Sequence, residues 1–118
     1  MRREFVKAAG RCWTCQKSRA TDCHEMASGT HRDAALSERC TWLAVCTMCN
    51  CYRLTDRVEW PLVRQLAIKW LNDPEHLDVE RFNELRGRAK TAITWTEVVV
   101  QVCHELDRWG YHGNVYQA

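Results

Sequence analysis

"CTMCN", residues 46–50, places two cysteines two positions apart with an asparagine directly behind the second. A C-x-x-C turn sets two sulfurs on one side of a metal ion, and zinc takes four ligands in a tetrahedron. One such turn is therefore half of a shell. The matching half is "CWTC", Cys12 to Cys15, separated from the second pair by thirty residues. Cys12, Cys15, Cys46 and Cys49 are thus the expected ligands of one structural Zn²⁺. Reduced, buried cysteines are the plainer alternative, and two evenly spaced pairs count against it.

The spacer is longer than in the shortest zinc-finger patterns, so it must hold structure of its own. A treble-clef arrangement supplies that structure: a knuckle, a hairpin, then the second pair at the start of a helix. The remaining cysteines, Cys23, Cys40, Cys51 and Cys103, lack a matching pair spacing and are expected to be small buried hydrophobes. Eight cysteines in 118 residues would be a disulfide framework in an exported protein. The start, "MRREFVKAAGRCW", has too short an apolar segment for a signal peptide. The expectation is therefore a reducing cytoplasm. No stretch approaches the ~18 apolar residues of a membrane span.

The net charge of +2 hides an asymmetry. Residues 1–57 carry ten Lys/Arg against six Asp/Glu, and residues 58–118 carry seven against nine. The basic excess travels with the cysteines and suits a polyanion-facing half, although an ordinary solvated surface would look the same.

Beyond Trp60–Pro61 the chain reads as helices. In "PLVRQLAIKWL", Leu62, Leu66 and Trp70 form one stripe and Val63, Ala67 and Leu71 the next. Pro61 suits a helix start and "NDP", residues 72–74, a stop. "DVERFNELR" predicts a second helix with Val79, Phe82 and Leu85 inward and Gly87 at its end. "TWTE" opens a third, with Thr94 and Glu97 at capping-box spacing. Val98, Val102, Leu106 and Trp109 share its inner face, and Gly110 ends it. These stripes are core rather than ligand sites.

The spacer contains "TDCHEMASGTHRDA", with Asp22, His24 and Glu25 in sequence and His31 and Arg32 beyond Gly29. Taken together, C-x-x-C, "CHEM-x-SG" and "WLAVCTMCN" resemble the HNH, or ββα-metal, endonucleases. The likeness is to their zinc-stapled branch, which includes the phage recombination endonucleases. It covers residues 10–57, and the following helical stretch resembles the extension of small proteins of that type. The resemblance implies an α+β fold: a treble-clef ββα-metal module over residues 1–59 with a helical extension, 60–118, packed on it. It implies hydrolysis of DNA phosphodiesters at a Mg²⁺ or Mn²⁺ site, with Asn50 aimed by the zinc-bound helix at the strand carrying His24.

Two assignments stay open. If His24 is a metal ligand, Glu25 falls where relatives place the base. If His24 is the base, Asp22 or Glu25 must complete the metal site. Asn50 is the other candidate ligand. The chain departs from the family pattern in lacking its "DH" or "HH" pair. Thr41 lies near the place of the middle asparagine, and Leu54 where a second histidine would follow Asn50. Arg19, His31, Arg32, Arg39, Arg53 and Arg57 are expected to contact phosphate. The partner is DNA, with branched or otherwise structured DNA a natural substrate, and the apolar helices could join two copies. A non-catalytic zinc module that binds nucleic acid or protein is the competing reading. A C-x-x-C thiol enzyme ranks last, because no βαβ pattern accompanies either pair.

Overall fold

Six consecutive residues, Thr41 to Cys46, are buried, and four of them form the central strand. In this computed structural model, which describes residues 1–27, 36–87 and 91–107, the strand is β2, Trp42–Val45. A short apolar run buried on both faces is what a core strand requires. β2 pairs antiparallel with β1, Asp22–Glu25, in the register Asp22 with Val45, Cys23 with Ala44, His24 with Leu43 and Glu25 with Trp42. Side chains alternate along a strand. Asp22 and His24 therefore share one face of β1, and Cys23 and Glu25 take the other.

An N-terminal helix, α1 (Arg2–Ala9), covers the Cys23–Glu25 side. The sequence reading did not anticipate it, because only Phe5 and Val6 are buried in an otherwise charged segment. Those two residues suffice: Phe5 meets Trp13 edge-on at 5.2 Å and Trp42 at 5.4 Å. Gly10 ends the helix with φ 73° and ψ −66°. The Arg11 N–H donates to the Ala9 carbonyl at 2.8 Å, closing a γ-turn at a backbone conformation that glycine takes without a Cβ penalty.

The helical half follows the sequence pattern closely. α2 (Leu62–Asn72) starts one residue after Pro61 and stops at Asp73. α3 (Val79–Arg86) buries Val79, Phe82 and Leu85, is capped by Asp78 through the Arg81 N–H, and ends at Gly87. α4 (Trp95–Asp107) begins with the capping box: Glu97 N–H donates to Thr94 Oγ1 at 3.2 Å, and Thr94 N–H to Glu97 Oε2 at 2.7 Å. Val98 and Val102 are buried and Leu106 partly so. Trp109 and Gly110 lie outside the described residues, as do His31 and Arg32. None of the described helices is long and apolar enough to cross a membrane.

α2 ties the helices to the strands. Its Lys69 is fully buried, donates to Asp73 Oδ2 at 2.7 Å and to the Arg39 carbonyl at 2.8 Å, and sits over the rings of Phe5 and Trp13. One continuous core runs from Phe5 through β2 and α2 to Val102. The molecule is thus a small α+β protein with a two-stranded sheet, helices and, at the sheet's end, four clustered cysteines.

Candidate metal centre and its polar neighbour

The sulfurs of Cys12, Cys15, Cys46 and Cys49 all lie within 4.8 Å of one another. Cys15 Sγ and Cys46 Sγ are 4.0 Å apart. Four thiolates around zinc at the usual bond length have sulfurs about 3.8 Å apart, so the cluster can hold a metal such as zinc with little adjustment. Gln16, just past the first pair, takes φ 60°, and its N–H donates to the Cys12 carbonyl at 2.9 Å. That turn aims the Lys17 and Ser18 N–H groups at Cys15. Burial pushes the Cys15 thiol up, but these amides and the neighbouring sulfurs outweigh it and bring it to about 6. Cys49 is driven the other way, to about 12, by burial and by the crowding of Cys12 and Cys46. Four thiols in one pocket cannot all ionise together without a cation among them.

The other cysteines differ from expectation. Cys23 and Cys40 are half-buried, while Cys51 and Cys103 are exposed. Cys51 sits on the outer side of a helical turn and Cys103 on the outer face of α4, where the sequence stripes did not place them.

Cys46 and Cys49 begin a helical segment that widens into a π-turn over Cys49–Arg53, where the Leu54 N–H donates to the Cys49 carbonyl at 2.9 Å. Asn50 lies in that turn and meets His24: Asn50 Oδ1 is 3.1 Å from His24 Nδ1. Asn50 Nδ2 donates to Asp22 Oδ2 at 3.1 Å. The other Asp22 oxygen accepts from Thr21 Oγ1 at 2.8 Å and Thr47 Oγ1 at 3.1 Å. His24 Nε2 is 3.0 Å from Gln65 Oε1, and Gln65 Nε2 donates to the Trp60 carbonyl at 3.0 Å.

This network contains one acceptor too many. The Trp60 carbonyl can only accept, so Gln65 turns its oxygen to the imidazole and holds the proton on Nε2. His24 Nδ1 is then an acceptor, and so is the Asp22 carboxylate. Asn50 lies between them with a single NH₂. Turned one way, its oxygen faces His24 Nδ1. Turned the other, its oxygen faces Asp22 Oδ2. In each case two lone-pair-bearing atoms confront each other at 3.1 Å. A proton would resolve the conflict, but the local chemistry opposes it. Burial holds the imidazole below its usual value, against the hydrogen bonds to Asn50 and Gln65. Burial pushes the Asp22 carboxyl up, but hydrogen bonds from Asn50, Thr21 and Thr47 outweigh it and hold it below the usual aspartate value.

Of the expected site residues, His24, Asn50 and Asp22 come together. Glu25 does not: it lies on the opposite face of β1, paired with Arg2, which also donates to the Cys23 carbonyl. Strand alternation alone separates Glu25 from His24. Arg39 is exposed but engaged by Asp73 through two hydrogen bonds. Arg19, Arg53 and Arg57 are exposed, and Arg57 is near enough for its charge to oppose protonation of His24. Thr41 is buried with its hydroxyl on the Glu38 carbonyl, and Leu54 is fully buried. Gln65 and Thr47 are the members the sequence reading missed. No protein-family model, curated protein or solved structure matches this chain.

Proposed function

We propose that the protein is a metal-dependent DNA endonuclease of the zinc-stapled ββα-metal type. Its treble-clef core would be built from the knuckle at Cys12–Cys15, the β1–β2 pair and the helical turn at Cys46. The observation that carries the reading is the surplus acceptor shared by Asp22, Asn50 and His24. A divalent cation satisfies such a set, and cis ligands of an octahedral Mg²⁺ stand about 3 Å apart. Asp22 and Asn50 offer the oxygens that Mg²⁺ or Mn²⁺ prefers. Bound there, the ion supplies Lewis-acid stabilisation of the phosphodiester's leaving oxygen. His24 keeps its Nδ1 lone pair directed into the cluster and accepts the proton of the attacking water at that atom. Gln65 holds the proton on the far nitrogen and fixes the ring plane. Thr21 and Thr47 hold Asp22 in place and ionised. Glu25, on the far face, has no part in the reaction.

The test is cleavage of supercoiled plasmid and of branched DNA with Mg²⁺ or Mn²⁺, and with chelator. Wild type should nick DNA only with the divalent ion. His24→Ala and Asn50→Ala should each lose at least about 100-fold while keeping their zinc. Wild-type protein inert under all conditions, or equal cleavage by the three proteins, would contradict the proposal.

One observation favours the second reading, a non-catalytic zinc module that binds nucleic acid or a protein partner. Leu54 is fully buried where related enzymes carry a second histidine, so the helix offers no further ligand from that position. Binding of DNA without cleavage in the same experiment would select it.

A further inference from the structure

A cleft of about 620 Å³ opens between α1 and the zinc-knuckle hairpin, a size within the range of ligand sites. Arg2, Arg3, Lys7 and Arg19 line it, and no acidic side chain does among the described residues. Of the carboxylates nearest in sequence, Asp22 lies on the opposite face of β1 and the other two are committed. Glu4 faces the chain's own amino terminus at 2.7 Å, and Glu25 is paired with Arg2. Arg3, Lys7 and Arg19 are exposed, and none of them closes an ion pair with a carboxylate among the described residues, although Arg3 lies near enough to Glu4 to favour its ionised form. The γ-turn at Gly10 brings helix and hairpin together here, and the Gly10 carbonyl accepts from Ala20 N–H at 2.8 Å.

A second feature of the hairpin points the same way. Arg11 stands directly opposite Arg19 in an antiparallel bridge. The flanking bonds, Cys12 N–H to the Ser18 carbonyl and Ala20 N–H to the Gly10 carbonyl, make it the pair type whose side chains approach most closely. Like charges directly opposite are destabilising. Their guanidiniums gain from an anion between or beside them. The cleft lies on the Cys23 side of β1, opposite His24, and meets the candidate catalytic cluster at the start of the strand. Thr21 lines its rim and donates to Asp22.

We infer that this cleft is a binding track for the sugar-phosphate backbone of DNA flanking the cleaved phosphate, with Arg3, Lys7 and Arg19 as its contacts. The inference rests on the endonuclease reading for its choice of DNA. Repeating phosphates suit a row of separate cations, and the track ends at Thr21, whose hydroxyl donates to Asp22 around the end of the strand.

The experiment measures binding of the full-length, zinc-loaded protein to a labelled DNA duplex by fluorescence anisotropy at several salt concentrations, without divalent ions. Arg3→Gln, Lys7→Gln and Arg19→Gln are compared singly and combined, each checked for zinc content and thermal transition. Each phosphate contact contributes about 0.9 to the slope of log affinity against log salt. The triple variant should therefore lose about 2 to 3 of that slope and bind at least about tenfold more weakly at moderate salt. A folded triple variant with wild-type slope and affinity overturns the track and leaves the nuclease reading intact. Equal competition by polyglutamate and DNA overturns it as well, by showing attraction to any polyanion. A wild type that binds with the full slope, loses it in the triple variant and yet cuts nothing supports the track and removes the nuclease.

Discussion

At the scale of single residues, Gln65 and Lys69 make the case that a polar side chain can be the most informative member of an apolar helix. Both are fully buried on α2, one turn apart, and each answers to a group on the strand half. Gln65 fixes which nitrogen of His24 keeps its proton. Replacing it with leucine removes the one acceptor for His24 Nε2–H among the described residues, so the ring can turn and the lone pair proposed to act as base leaves the cluster. Nicking of plasmid by Gln65→Leu with Mg²⁺ should fall about 10- to 100-fold with zinc retained. Unchanged nicking by a variant whose wild type cuts would leave Gln65 a packing residue.

Lys69 depends on Asp73. Burial pushes the Asp73 carboxyl up, but Arg39, Lys69 and His76 outweigh it and hold it below the usual value. Because its folded value is depressed, its stabilisation is complete above the ordinary aspartate range and is lost as pH falls through the lower folded value. Asp73→Asn leaves the Lys69 ammonium buried without its counter-charge. It should cost about 3 kcal/mol in chemical denaturation at pH 7 and remove this part of the acid-limb slope. Nothing in the sequence marked either residue. Gln and Lys at helical spacing look like a solvated face, and only tertiary packing buries them.

At the scale of elements, the parts that local chemistry dictates were readable and those set by partners were not. The C-x-x-C turns, the Thr94–Glu97 capping box and the α3 stripe of Val79, Phe82 and Leu85 each need only neighbours within a few residues. Their spacing therefore announced them. α1 buries Phe5 and Val6, with Phe5 packing on distant Trp13 and Trp42, which its own charged sequence does not reveal. The face of Glu25 was legible in principle. Alternation along the strand expected around His24 puts residues 22 and 24 together and 25 opposite, which favours Asp22 over Glu25.

The zinc knuckle carries an element-scale prediction. Gln16 is the one non-glycine residue with positive φ among those described, at 60°. A left-handed conformation costs an L-residue roughly 1 kcal/mol that glycine does not incur. Gln16→Gly should leave the zinc-loaded protein as stable as wild type or up to about 1 kcal/mol more so, whereas Gln16→Val should destabilise it. Destabilisation by glycine would show that the Gln16 side chain, rather than the turn, supports the knuckle.

At the scale of the whole molecule, the cysteine cluster joins pieces far apart in sequence. The knuckle, the end of β2 and the turn carrying Asn50 meet at four sulfurs, and the position of Asn50 relative to His24 follows from that junction. A chain of 118 residues buries a modest core, so a metal held by the four cysteines would contribute a large share of its stability. The most direct measurement is elemental analysis of the purified protein after gel filtration, alongside Cys49→Ser. One zinc per chain in the wild type, and a clear loss of it in the variant, is the expected result. A folded wild-type protein that retains no zinc would contradict the account at its foundation.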